Sequence, residues 1–277
     1  MSKRFLYALG CLATITLLLG ACQPSQVIPA DLPAATDAPA GQAITLYYVG
    51  KSAQVELTSP DGIRVLIDVA YPDFLSSPPT AEDILLTTHL HLDHHNPGFS
   101  DSFPGQKLVA RQGEIVMGDV AIHSIMARHG VSNFGAASEC DVAIFVIEMG
   151  GLRVVHFGDF GEGQLTAEQL SALGDVDVAI SMMGDAHAFR QLLADKTMFA
   201  LMAQLKPRLI IPTDHSDAES IGYAAQQWQG FYSSNNPVSI APANLSDETS
   251  FLVLGNLALS YHNIFGLLSW EDLSAGR

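Results

Sequence analysis

The chain has 277 residues, 48% of them hydrophobic and 15% charged, with 23 glycines and 14 prolines. That is the composition of a globular protein long enough to bury a sizeable core, and it excludes a disordered or fibrous chain. The formal net charge of −16 repels phosphate backbones and removes nucleic acid from the expected partners, although a bound metal can reverse the local field and admit a small anion.

In chain order, "MSKR" is a short basic segment, and "FLYALGCLATITLLL" is an apolar run too short for a comfortable membrane span. Together they read as an export signal. The stretch "LGAC", ending at Cys22, resembles a bacterial lipobox, in which cleavage precedes the cysteine and the cysteine carries lipid. Residues 1–21 are therefore expected to be a lipoprotein signal peptide. Residues 22–42, Pro/Ala-rich and without apolar periodicity, are expected to be a lipidated cysteine and flexible tether. Residues 43–277 are expected to form the folded domain. Of the three cysteines only Cys140 then remains, so no intramolecular disulfide is expected. The expected location is outside the cytoplasm, on the periplasmic face or cell surface, anchored to a membrane through Cys22.

The domain opens with the strand-like "AITLYYVG" and continues through "AQVELTSPDGIRVLIDVA", two strand patterns around a turn at Pro60-Asp61-Gly62. "DILLTTH" is a short buried strand, "DVAIHSIMARHG" another, and "CDVAIFVIEMGGLRVVHFGD" a hairpin turning at Gly150-Gly151. "TAEQLSAL" predicts a helix capped by Thr166, with Gln169 three residues on. "KTMFALMAQLKP" predicts one that buries Met198, Leu201, Met202 and Leu205 and stops before Pro207. "ESIGYAAQQWQGFY" is a weaker helical pattern, and "FLVLGNLALSYHNI" reads as a final hairpin around Gly255-Asn256. Strand hairpins followed by strand–helix alternation predict an α+β domain of two packed sheets with helices outside.

The chemistry concentrates in "TTHLHLDHHNPG". His89, His91, Asp93 and His94 follow a buried strand and can converge on one point after it turns. Imidazole with carboxylate suits zinc or a similar divalent ion. Alternation puts 89, 91 and 93 on one side, and leaves His94 free to serve a second ion.

This run resembles the H-x-H-x-D-H signature of the metallo-β-lactamase fold superfamily. "VLIDVA", "ARHG", "VVHFGD" and "IIPTDH" resemble its other landmarks, in order, over roughly residues 43 to 262. Their spacing is most similar to the branch containing ascorbate-6-phosphate lactonase-like and other small-molecule hydrolases. The resemblance implies an αβ/βα four-layer sandwich with the metal site at one edge of two mixed sheets. It also implies two divalent metal ions, zinc first, with manganese or iron as alternatives. His89, His91 and His129 would hold the first ion, Asp93, His94 and His215 the second, and Asp159 would bridge them. A small molecule is the expected substrate, its ester, lactone, amide or phosphodiester bond cleaved by activated water, with Asp93 the candidate for proton handling. True β-lactamase activity and a non-catalytic metal-binding sensor or scaffold are the alternatives.

Several other residues carry open readings. His123 competes with His129, but lies inside a strand pattern where a packed histidine is expected. Asp68 reads either as a carboxylate orienting a ligand histidine or as a strand-end turn cap. His156 is expected behind the site or in the core, and His95 beside it. Asp185 and His187 follow a strand that should end near the metals. Relatives often carry Gly-His where this chain has Gly50-Lys51, so any role of that histidine is absent or changed here.

Overall fold

A computed structural model describes residues 42–50, 53–129, 142–161, 164–183, 197–213, 218–255 and 258–275. The strands are β1 (Ile44–Tyr48), β2 (Val55–Thr58), β3 (Arg64–Ile67), β4 (Ile84–Thr87), β5 (Gln106–Val109), β6 (Glu114–Met117), β7 (Val120–Ala127), β8 (Val142–Met149), β9 (Leu152–His156), β10 (Val178–Met182), β11 (Leu209–Thr213), β12 (Gln229–Tyr232), β13 (Val238–Ile240), β14 (Ser250–Val253) and β15 (Leu268–Ser269). The helices are α1 (Pro97–Ser102), α2 (Ala167–Leu173), α3 (Thr197–Leu205), α4 (Ala218–Gln227), α5 (Ala258–Phe265) and α6 (Trp270–Ser274).

Two mixed sheets form, in the orders β13-β1-β2-β3-β4-β5 and β15-β12-β14-β11-β10-β9-β8-β7-β6. Strand alternation explains why they pack. Val65, Ile67, Ile84 and Leu86 face inward, against Phe145, Ile147, Val154 and Ile180 of the larger sheet. The intervening Leu66 and Leu85 face outward, under Phe103 and Phe99. On the outer face of the nine-stranded sheet, Ala179 and Ile210 pack with Leu173 of α2, Met202 of α3 and Ile221 of α4. The result is the expected α+β sandwich, with apolar faces buried three times over.

Local signals explain most elements. Gly150 and Gly151 both take positive φ, 57° and 75°, as a two-residue turn between β8 and β9 requires. Thr166 caps α2 in a reciprocal capping box with Gln169. Met198, Leu201 and Met202 of α3 are buried, as their spacing predicts. Two expectations need correction. The segment "ESIGYAAQQWQGFY" divides into α4 and the parallel strand β12. The run after Gly255 is the helix α5 rather than the return strand of a hairpin. Tyr261 is buried with Phe265 packed beside it, an i to i+4 spacing that satisfies a helix better than a strand.

The parallel strands β9, β10 and β11 place their C-terminal ends along one edge. On the facing sheet, β3 and β4 are parallel and end at residues 67 and 87. Chain leaving β4 and chain leaving β9 are joined where Gly158 lies against Thr88. Gly158 has φ +53°, and a Cβ there would stand 2.7 Å from the Thr88 Cβ. Only glycine accommodates both the left-handed turn and this approach.

Candidate metal centre

The run beyond β4 leaves the sheet as irregular chain and turns over His91: the backbone N–H groups of His94 and His95 both donate to the His91 carbonyl, at 3.0 and 2.8 Å. This turn returns His94 beneath His89, their ring centroids 4.1 Å apart. From the larger sheet, His129 follows β7 and pairs with Phe160 as an isolated bridge. Gly161 N–H donates to the Arg128 carbonyl at 2.9 Å, which closes the same junction. That pairing sets Asp159, in the turn after β9, beside His129.

His89, His91, His129 and Asp159 each offer a ligand atom, all within 4.8 Å of one another. The two oxygens of Asp159 face different partners. Oδ2 lies 3.7 Å from His89 Nε2 and 3.4 Å from His129 Nε2, whereas Oδ1 lies 3.3 Å from His94 Nε2. Two donors bound at about 2.0–2.1 Å to one tetrahedral zinc stand about 3.3 Å apart. These spacings are therefore those of ligands around an ion. His89 Nε2 and Asp159 Oδ1 are buried and make no hydrogen bond. Buried polar atoms without hydrogen-bond partners are rare, and a cation supplies what these two lack. The donor set fits a divalent ion.

Behind the donors, Asp68 ties the cluster together. It is fully buried and adopts φ 51°. Its Oδ1 accepts from Thr88 N–H at 2.7 Å, and its Oδ2 accepts from Thr88 Oγ1 at 2.8 Å and from His94 Nδ1 at 2.9 Å. Because the Thr88 hydroxyl donates to Asp68, its oxygen accepts from His89 Nδ1 at 3.0 Å. Both histidines are thus held as tautomers with Nε2 directed forward as an acceptor. Thr88 carries no motif signal of its own; its role emerges only when β3 and β4 align.

Electrostatics favour metal-ready protonation states. Burial first, then the neighbouring His94, pulls the His89 imidazole from its ordinary 6.5 to about 3, so it stays neutral as a ligand must. Burial opposes charge on Asp159, but His94, His129 and His89 together hold its carboxyl well below the ordinary carboxylate range. Asp68 is likewise lowered against burial, chiefly by His94.

The remaining candidates sort by position. Asp93 is exposed on the turn between His91 and His94 and stands outside the four-residue cluster. His95 is half-buried at the start of the next segment. His123 is buried in β7, where Nε2 donates to the Ala172 carbonyl at 3.1 Å and secures α2. His156 is buried behind the site: Nδ1 accepts from Gly158 N–H at 3.2 Å and Nε2 donates to the Ala53 carbonyl at 3.3 Å. It thereby braces the turn that carries Asp159 against the segment between β1 and β2. His215, Asp185, His187, Lys51 and Cys140 lie outside the described residues.

Two facing sheets with a histidine–aspartate cluster at their shared edge define the class of metallo-β-lactamase-fold hydrolases. Residues 45–214 match the model of the β-lactamase superfamily domain, and the chain belongs to that family. Among solved structures it is similar to a protein from Thermotoga maritima assigned as a Zn-dependent hydrolase of the metallo-β-lactamase superfamily. The identity is 18% and the TM-score 0.54, over 76% of this chain and 100% of that one. It is also similar to a metallo hydrolase from Ignicoccus hospitalis, at 20% identity and TM-score 0.42 over 62% and 82% of the two chains. The likeness to the Thermotoga maritima protein is one of fold alone. No curated protein matches the chain.

Proposed function

We propose that the protein is a hydrolase that uses two divalent ions, zinc first, to cleave an ester, lactone, amide or phosphodiester bond in a small molecule. The observation that carries this is the convergence of His89, His91, His129 and Asp159, with His94 on the opposite oxygen of the same carboxylate. His89, His91 and His129 would hold one ion; Asp93, His94 and His215 would hold the other; Asp159 would face both. Bound there, the ions supply a water acidified toward neutral pH and polarisation of the scissile group's oxygen. The chain's own part is to present neutral imidazoles, fix their tautomers through Asp68 and Thr88, and keep Asp159 charged between them. Asp93 would take part in proton handling while it holds the ion it shares with His94. Lipidation at Cys22 would hold this site outside the cytoplasm, next to a membrane, where small-molecule substrates arrive.

Replacing His91 with Ala or Asp159 with Ala tests the assignment. Each variant is expected to remain folded by circular dichroism, to lose bound metal by elemental analysis, and to lose turnover on a panel of esters, lactones, amides and phosphodiesters. Full metal content with full turnover in either variant would sink the assignment.

A further inference from the structure

One contact joins the two sheets behind the metal centre. His156 ends β9 and is 1% exposed. The ladder to β10 gives out one residue later, where Phe157 N–H donates to the Ile180 carbonyl at 3.0 Å. The next N–H, that of Gly158, is buried and goes instead to His156 Nδ1 at 3.2 Å. A backbone N–H can only donate, so Nδ1 accepts and the ring's proton sits on Nε2. Nε2 therefore donates to the Ala53 carbonyl, 3.3 Å away and 103 residues earlier in the chain. Asparagine or serine often accepts an N–H two residues on. Neither is long enough to reach the opposite sheet as well, and one imidazole does both.

The far end of this contact is itself fixed. Ala53 is buried, and Val49 N–H donates to the Gln54 carbonyl at 3.4 Å, which closes the loop between β1 and β2. Gln54 is fully buried; its Nε2 donates to the Tyr71 carbonyl at 3.2 Å, and Tyr71 N–H donates back to Oε1 at 2.9 Å. Tyr71 lies three residues beyond Asp68, which holds Thr88 and His94. The pair Ala53-Gln54 is thus tied to both halves of the centre. Gln54 reaches the segment that carries Asp68, and Ala53, through His156, reaches the turn that carries Asp159. The tie matters because the candidate ligands come from both sheets: His89, His91 and His94 follow β4, whereas His129 follows β7 and Asp159 follows β9. Donors that must meet an ion at about 2.0–2.2 Å have to be held to within about 0.5 Å of one arrangement.

We propose that His156 is a positioning residue of the metal centre. By linking the Gly158 N–H to the Ala53 carbonyl, it fixes the Asp159 turn of one sheet against the histidine run of the other, and so sets the affinity for the ions. It acts through Asp159 and is not itself a ligand. This rests on the metal-dependent reading above and adds to it what keeps the two halves of the centre in register.

The test uses zinc alone as the probe, its affinity measured by chelator competition in the full chain and in His156→Asn and His156→Gln. Asparagine keeps an acceptor for the Gly158 N–H but is too short for Ala53. Glutamine keeps a donor that reaches Ala53 but offers Gly158 no acceptor. Each variant is expected to lower zinc affinity about tenfold, the lower end of the loss that follows when a group orienting a metal ligand is removed. The visible absorption band of each cobalt(II)-loaded variant is expected to shift, because Asp159 meets the metal at a changed angle. His123→Gln is the control: His123 is also buried, but it holds the Ala172 carbonyl of α2 and lies outside the ligand cluster. That variant is expected to lower the urea midpoint of the metal-free protein and to leave zinc affinity and the cobalt band unchanged. Unchanged zinc affinity or an unshifted band in either His156 variant, or equal losses in His123→Gln, overturns the inference and leaves the metal reading standing. A wild-type chain that takes up neither zinc nor cobalt overturns both.

Discussion

Asp68 accepts three hydrogen bonds from Thr88 and His94 while fully buried, so no isosteric neighbour serves in its place. In Asp68→Asn the amide turns an N–H toward groups that are themselves donors. The expected cost is about 2–4 kcal/mol of stability, read from urea midpoints. Metal affinity, read by competition with a chelator, is expected to fall roughly 10–100-fold. The sequence left Asp68 balanced between orienting a histidine and capping a turn. The structure places it against both the His94 imidazole and the backbone N–H of Thr88. The convergence of His89 and His91 was legible because the spacing of the histidine run is itself the signal. Thr88 and His156 were not, because a residue's neighbours across a sheet depend on register, which no local pattern encodes.

Among the elements, β8, β9 and α2 were legible because their turn and cap chemistry is local. The stretch after β14 misled, because "LALSYHNIF" is short and apolar and only packing decides between strand and helix. A less obvious device lies in the segment from β3 to β4. Arg64 is buried; its Nη2 meets Asp83 Oδ2 at 2.7 Å and its Nη1 meets Glu56 Oε2 at 3.4 Å. It also donates to the Ser77 carbonyl and the Pro78 carbonyl, each at 3.0 Å. One guanidinium thus clasps the whole excursion that bears Tyr71 and Phe74. Arg64→Leu leaves two buried carboxylates without their cation and is expected to cost about 3–5 kcal/mol in urea unfolding. Loss below 1 kcal/mol would mean that the clasp does not carry the segment.

At the scale of the molecule, several buried histidines act in one direction. His89, His123 and His156 are all lowered, by burial first. A histidine whose folded value lies below its unfolded one is protonated first in the unfolded chain, so stability falls as pH drops below about 6.5. For His89 the window extends to about 3. The lowered carboxylates Asp68 and Asp159 add their loss only beneath the ordinary carboxylate range. Chelator-treated protein is therefore expected to lose up to about 2 kcal/mol through His89 alone between pH 7 and pH 5, measured by urea midpoints. A pH-independent midpoint over that range would contradict the buried-neutral assignment.

The pairing of β13 with β1 closes the six-stranded sheet, and its seam is sealed when Tyr48 N–H donates to Asn236 Oδ1 and Asn236 Nδ2 donates to the Tyr48 carbonyl. Those partners stand 188 residues apart. Bringing such distant segments together is slow, and the cost in chain entropy precedes the reward. A ribosome has released the histidine run long before it releases the strand that completes the sheet beneath it. The first sheet therefore closes only after β13 has been made, long after the histidine run.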